Sequence, residues 1–264
     1  MNHDALLGPA FPDLGWVPAP RYLMRRSRVL SLAQGLKPGA LLEVGPGAGT
    51  LLMEFSERGF ACEALEPSAE AREMATRLLA ATSTSIPVHA EPGPDWDGKY
   101  DAIFAFDVLE HIEHDAEALA QWLRWLKPGG HLLLSVPARM RLWTAGDEWA
   151  GHFRRYERDQ LQALIEREGF AIETFECYGF PLTNITERAS APAYRKLMHR
   201  DANPEDQRQR NNDRSGVDRR PHLRVYPLMA SLPGRLALRT FLAVQRLFLR
   251  RDLGSGYILR ARRA

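Results

Sequence analysis

Residues Leu41 to Leu52 read LLEVGPGAGTLL, with three glycines at alternate positions between two apolar runs. A short apolar run bounded by turn residues reads as a buried strand, and TLLMEFSERG beyond it as a helix closed by Gly59. The glycines therefore form a strand-to-helix turn stripped of side chains. The same alternation continues along the chain. FACEALEP is a strand, SAEAREMATRLLAAT a helix capped by Ser68, YDAIFAFDV a strand, and DAEALAQWLRWLKPGG a helix ending in a glycine turn. HLLLSVPA, the helix RDQLQALIEREGF and the strand AIETFECYGF follow. Strands alternating with amphipathic helices call for a parallel sheet covered on both faces, because a parallel crossover needs an intervening element. The expected class is α/β. GYILRARR, which alternates like a strand, is expected to return to the sheet beside AIETFECYGF.

Four segments are expected. Residues 1–35 form an arm and a helix that starts at Pro20, residues 36–184 the core, 185–255 an insertion, and 256–264 the last core strand. In the insertion, DANPEDQRQRNNDRSGVDRRP is nearly free of apolar side chains and reads as a solvated loop. Residues 228–251 read as one amphipathic helix with Arg235, Arg239, Arg246 and Arg250 in a single sector. Residues 1–194 hold 18 Lys and Arg against 27 Asp and Glu, whereas 195–264 hold 17 against 6. A basic segment of this kind meets phosphate, an anionic membrane surface, a homodimer partner or the acidic body of its own chain, and the sequence leaves these open. Cys62 and Cys177 stand far apart with no zinc-type spacing. No secretory leader and no uncharged stretch of about 18 residues is seen. A cytoplasmic protein, with peripheral contact to the inner face of the membrane through 228–251 as one option, is the expectation.

In an open α/β sheet, ligands bind where the first strand meets its helix. The dinucleotide pattern G-x-G-x-x-G is not matched, since the third glycine comes one residue early. Glu43 inside the strand repels a pyrophosphate and favours a ligand with an ammonium or sulfonium centre. Glu66 ends the second strand, 17 residues after Gly49, where a carboxylate accepts hydrogen bonds from ribose hydroxyls. The run E-x-G-x-G-x-G, the acidic end of strand two, and FDVLEHIEHDAEALAQWLRWLKPGGHLLLSVP together resemble the class I S-adenosylmethionine-dependent methyltransferases. The resemblance covers roughly residues 36–180 and the last strand. It implies a Rossmann-like, doubly wound, seven-stranded and mostly parallel sheet with an antiparallel C-terminal strand, and S-adenosyl-L-methionine as cofactor. By position it implies Glu43, Gly45, Gly47 and Gly49 at the cofactor's amino-acid end, Glu66 at the ribose, Glu91 near the adenine amino group, and Asp107 beside the methionine moiety and the acceptor mouth.

Methyl transfer to a hydroxyl needs positioning and a proton acceptor, and no metal is required in principle. His111, His114 and His152 follow the strand ends, and an imidazole is the side chain best suited to act as a general base near neutral pH. His111 and His152 are the candidate catalytic residues, although a packing role for the first and a loop hydrogen bond for the second remain open. GHFRRY resembles small-molecule and sugar-type members of the superfamily. Arg154 and Arg155 are candidates for holding a substrate phosphate or carboxylate, unless Arg154 pairs with the loop acids Asp147 or Glu148; Trp149 and Tyr156 are candidate substrate contacts, with Trp143, Phe153 and Tyr178 as further pocket walls. The expected reaction is O-methylation of a small molecule, sugar or lipid-linked glycan. Nucleic acid is disfavoured, because strand four ends in FDVLEH rather than in a base-flipping loop. A nicotinamide oxidoreductase and a non-catalytic nucleoside-binding scaffold are the alternatives.

Overall fold

The strands β1 (Ala40–Val44), β2 (Ala61–Leu65), β3 (Val88–His89), β4 (Tyr100–Phe106), β5 (Leu126–Pro137), β6 (Phe170–Tyr178) and β7 (Gly256–Arg263) form one sheet in the order β3-β2-β1-β4-β5-β7-β6. They are taken from a computed structural model, which describes residues 4–80, 85–198 and 219–264. β1 to β5 pair in parallel, and β7 runs antiparallel between β5 and β6. The sheet thus has the expected Rossmann-like layout, with strand order reversing between β1 and β4. The helices are α1 (Pro20–Leu32), α2 (Thr50–Ser56), α3 (Ala69–Leu79), α4 (Asp115–Trp125), α5 (Ala145–Ala150), α6 (Arg158–Arg167), α7 (Leu182–Met198), α8 (Arg220–Leu223), α9 (Tyr226–Ala230) and α10 (Leu232–Phe248).

Alternate strand residues feed two cores, as the pleat requires. Leu41, Phe104 and Leu133 join α1, α2 and α3 on one face. Leu42, Ile103 and Leu132 join α4 and α6 on the other. The arm before α1 is part of the first core, since Leu7 and Trp16 are buried there and Trp16 packs edge-on against Tyr22. α1 is fastened to α2 by a bidentate pair, Arg26 Nε and Nη2 donating to Glu54 at 2.6 and 2.5 Å, with both side chains buried.

In three places the elements differ from the sequence expectation. LKPGG belongs to β5, with a register shift that carries pairing from Tyr100–Leu126 to Ala102–His131. The single helix expected over 228–251 is two, because Ser231 adopts extended backbone and its hydroxyl accepts from Gly234 N while Pro233 cannot continue the helical bonding of α9. α7 runs across the boundary placed between residues 184 and 185. Most of the polar run 201–221 lies outside the described residues.

Candidate active site

The turn after β1 sits at the point of strand reversal. Gly45, Gly47 and Gly49 all have left-handed backbone, at φ 63°, 55° and 70°. A β-carbon on Gly45 would come within 2.5 Å of Val108 Cγ2, so the turn needs glycine for space as well as for φ. Gly45 N donates to Leu65 O at 2.9 Å, which draws the end of β2, and with it Glu66, beside the turn.

Two cavities open from this turn. A larger one of about 780 Å³ is lined by Glu66, Pro67, Ser68, Val108 and Ile112; a second of about 450 Å³ is lined by Glu43, Arg25, Glu110, Trp149, His152 and Arg155. They share Gly45, Gly47, Asp107 and His111. A nucleoside in the first and an acceptor in the second would therefore meet over one floor. Gly49 lines neither and instead caps α2, where a β-carbon would press on Leu79 at 3.1 Å. Glu91 is exposed and lines neither cavity.

The chemistry of the floor suits a cationic, sulfonium-bearing nucleoside. Glu43 is 3% exposed, its Oε2 has no hydrogen-bond partner, and burial pushes its carboxyl up to about 8 against the partial pull of Arg25. Such an unsatisfied buried carboxyl is stabilised by an ammonium or sulfonium neighbour. Glu66 Oε1 accepts from Ser68 N at 3.1 Å, which fixes the carboxylate at the mouth of β2 in reach of a ribose. Glu43, Gly45, Gly47 and Glu66 are the residues that would hold S-adenosylmethionine, a donor whose sulfonium makes its methyl group electrophilic.

Asp107, at the end of β4, has φ 56°, an uncommon conformation for a residue with a β-carbon. Burial opposes its charge, but Arg21 and Arg25 hold it far below the usual carboxylate range, with Nε and Nη1 contacts at 3.2 and 2.5 Å. Ser135 Oγ and Tyr178 Oη also donate to it, at 3.1 and 3.3 Å. The sequence reading passed over Arg21 and Arg25. Their spacing of one helical turn on α1 was the available signal.

His152 follows Gly151, whose left-handed backbone ends α5. Its Nδ1 lies 3.0 Å from Asp147 Oδ1, and its Nε2 lies 3.9 Å from Glu110 Oε1. Asp147 is saturated: Arg155 Nε and Nη2 donate to it at 2.8 Å each, and Thr144 N at 2.8 Å. Burial opposes that charge too, yet His152 and Arg155 hold the Asp147 carboxyl well below its ordinary value. An ionised Asp147 makes His152 Nδ1 the protonated nitrogen and leaves Nε2 as an acceptor. The His111 ring stacks edge-on against His152 at 4.7 Å. Glu110, which the sequence reading did not single out, is fully buried with neither oxygen hydrogen-bonded; burial and the nearby Asp107 push its carboxyl well up. Glu110, His111 and His152 each bring a ligand atom within 4.8 Å of one another, a spacing that admits one divalent ion.

The remaining candidates divide. Trp149 lines the second cavity and stacks on Tyr194 at 5.1 Å. Arg155 lines it too, with its guanidinium committed to Asp147 and, at 3.3 Å, to Glu187. Arg154 points elsewhere, to Asp115 at 2.8 Å and Glu113 O at 2.7 Å. Tyr156 is buried under the site, donating to Asp115 at 2.9 Å. Neither Arg154 nor Tyr156 reaches either cavity. The acid that claims Arg154 is neither Asp147 nor Glu148 but Asp115, at the start of α4.

Comparisons with known proteins agree with this architecture. The Vibrio cholerae ubiquinone biosynthesis O-methyltransferase is 30% identical over 121 residues, 43% of this chain and 48% of that protein. The chain thus spans about half the length of the curated relatives it matches. Among solved structures, an S-adenosylmethionine-dependent methyltransferase from Mesorhizobium loti superposes with TM-score 0.56 at 15% identity, covering 93% of this chain and 98% of that one. Haemonchus contortus phosphoethanolamine N-methyltransferase 2, solved with S-adenosyl-L-methionine, gives 0.55 at 15% identity over 90% of this chain and 52% of that one. These likenesses carry the fold. Residues 19–174, well over half of the chain, match the family described as a methyltransferase domain, and with the glycine turn, Glu66 and the two-cavity floor in place the chain belongs to the class I S-adenosylmethionine-dependent methyltransferases.

Proposed function

We propose that the chain methylates a hydroxyl oxygen of a small-molecule acceptor lodged in the second cavity, with His152 receiving the hydroxyl proton at Nε2. The observation that carries this reading is the fixed tautomer: Asp147 takes Nδ1 at 3.0 Å and is itself locked by Arg155. An oriented imidazole with a free acceptor nitrogen is what proton removal from a hydroxyl requires. His111 steadies the His152 ring, and Glu110, held protonated by burial, adds no competing charge beside Nε2. The O-methyltransferase relatives support oxygen as the acceptor atom, and a sugar or lipid-linked glycan hydroxyl is a finer version of the same proposal. Transfer of a labelled methyl group, assayed with candidate phenols and sugars, tests it. His152→Ala should lower kcat by about 10²- to 10⁴-fold with cofactor affinity unchanged. Asp147→Asn should lower kcat as well by releasing the tautomer. Unchanged kcat in His152→Ala removes the base; activity lost to a chelator and restored by a divalent ion would instead give the Glu110, His111 and His152 cluster to a metal.

A second reading concerns location. No described helix is long and apolar enough to cross a membrane. α10, however, turns Leu232, Leu236 and Leu247 outward, at 84%, 66% and 79% exposure, beside exposed Arg239, Arg246 and Arg250. Leucines flanked by arginines suit the interface of an anionic bilayer. The full chain should therefore sediment with vesicles containing phosphatidylserine, and Leu232→Ser with Leu247→Ser should abolish this. A chain that dimerises through these leucines and ignores vesicles would assign the face to a homodimer.

A further inference from the structure

The second cavity carries an unbalanced charge. Four guanidinium groups line it, and three are neutralised: Arg155 by Asp147 and Glu187, Arg21 by Asp107 and Glu187, and Arg25 by Asp107. The fourth is Arg219. Among the described residues no carboxylate pairs with it, and its buried Nε has no acceptor. Glu43 and Glu110 also line the cavity, and neither pairs with Arg219. Burial, followed by the charge of Arg25, lowers the Arg219 pKa, as expected of a half-buried cation held beside another cation. A guanidinium kept there without a counter-ion is costly unless something bound supplies one. Its donors form a planar fork that matches two oxygens of a single anionic group.

We propose that Arg219 is the anchor for an anionic group on the acceptor, a carboxylate or a phosphate, which enters the second cavity while the rest of the molecule lies against the aromatic wall made by Trp149 and Tyr194. This names the substrate class of the site proposed above and rests on that reading. A cavity of about 450 Å³ takes a small molecule rather than a polymer. The sequence reading gave the anion to Arg154 and Arg155, both of which already have carboxylate partners; the guanidinium that lacks one stands in the basic C-terminal part, just before α8.

The test uses the full chain saturated with S-adenosylhomocysteine and titrated calorimetrically with inorganic phosphate and, separately, with benzoate. The wild type should bind at least one of them, and which one tells phosphate from carboxylate. Arg219→Gln should weaken that binding roughly 10- to 100-fold, Arg219→Lys should retain part of it, and S-adenosylhomocysteine affinity should stay the same in both. Removing a half-buried cation that no described carboxylate pairs should also raise the melting temperature of the anion-free chain and erase any rise that phosphate or benzoate gives the wild type. Arg77→Gln, on the exposed face of α3, should change nothing. Equal anion binding in wild type and Arg219→Gln, no anion binding by the wild type, a lower melting temperature in the Gln variant, or an equal loss of S-adenosylhomocysteine affinity would each overturn the assignment. Failure of the wild type to bind S-adenosylhomocysteine at all would instead sink the methyltransferase reading beneath it.

Discussion

Replacing Glu43 by Gln should stabilise the cofactor-free chain, and the gain should grow as pH rises. The unfolded chain releases the Glu43 proton near the ordinary 4.5, whereas burial in the folded chain keeps it on up to about 8. Between those limits the native state binds the extra proton, so the sign is fixed: the stability is whole below the unfolded value and is lost progressively as pH climbs through the folded one. The slope is about 1.4 kcal/mol per pH unit, which amounts to roughly 3 kcal/mol by neutral pH. No discount for solvent is needed at 3% exposure. Gln has nothing to ionise, and therefore removes the slope. Urea unfolding of both proteins at several values between about pH 5 and pH 8 reads this directly, the variant's advantage widening by about 1 kcal/mol or more per pH unit. A difference that stays constant over the range would refute the claim that a neutral carboxyl is stored beneath the turn. The same variant should bind S-adenosylmethionine more weakly, because a carboxyl that can ionise beside the donor's positive charge is gone.

Two other substitutions probe the frame around that carboxyl. Glu66→Ala should cost about 1.5–3 kcal/mol of S-adenosylmethionine binding through lost charge-assisted hydrogen bonds, read by calorimetry; an unchanged affinity would mean that β2 does not end at the ribose. Arg26→Met leaves Glu54 buried at 1% side-chain exposure without its bidentate partner and should destabilise the fold by about 3–5 kcal/mol. Adding Glu54→Leu to Arg26→Met should recover most of that loss in the same unfolding assay, and failure to recover it would show that α1 is held to α2 by something other than the pair.

What the sequence made legible was local. The glycine turn, Glu66 closing β2 and Asp107 closing β4 each follow from residues within a few positions of one another, and the alternation in GYILRARR marked the last strand, whose antiparallel direction only the family resemblance implied. The Ser231-Leu-Pro-Gly break was equally local, but the apolar period across it is strong enough to hide a helix start. β3, at two residues, carries too little pattern to register. The site's charge network was not legible, because it is tertiary: Arg21 and Arg25 reach Asp107 across 86 and 82 residues. Arg154 and Arg155 show why adjacency misleads. Side chains on neighbouring positions of an extended segment leave on opposite sides, so one meets Asp115 on α4 and the other Asp147 on α5. Type and spacing nominated both for an anion, but only the fold reveals that each already has one.

The basic C-terminal part is best understood by following where its arginines go. Arg235, which shares a helical sector with Arg239, Arg246 and Arg250 in sequence, is captured by Asp4 of the N-terminal arm, and Arg260 on β7 lies 2.7 Å from Glu173. Arg219 turns into the second cavity. The acidic body therefore takes up part of the surplus, and the stripe keeps Arg239 and Arg246 on α10 and Arg250 just beyond it, beside exposed leucines. Residues 1–194, where 27 acidic side chains outnumber 18 basic ones, would repel an anionic surface at distances within about one Debye length. On the membrane reading, charge would orient the chain before any leucine inserts, each arginine near the surface contributing on the order of 1 kcal/mol. His222 and Val225, which line the second cavity, lie in and just after α8, a few residues ahead of α10 in the chain. On the membrane reading, vesicle binding should fall steeply with salt while cofactor binding does not.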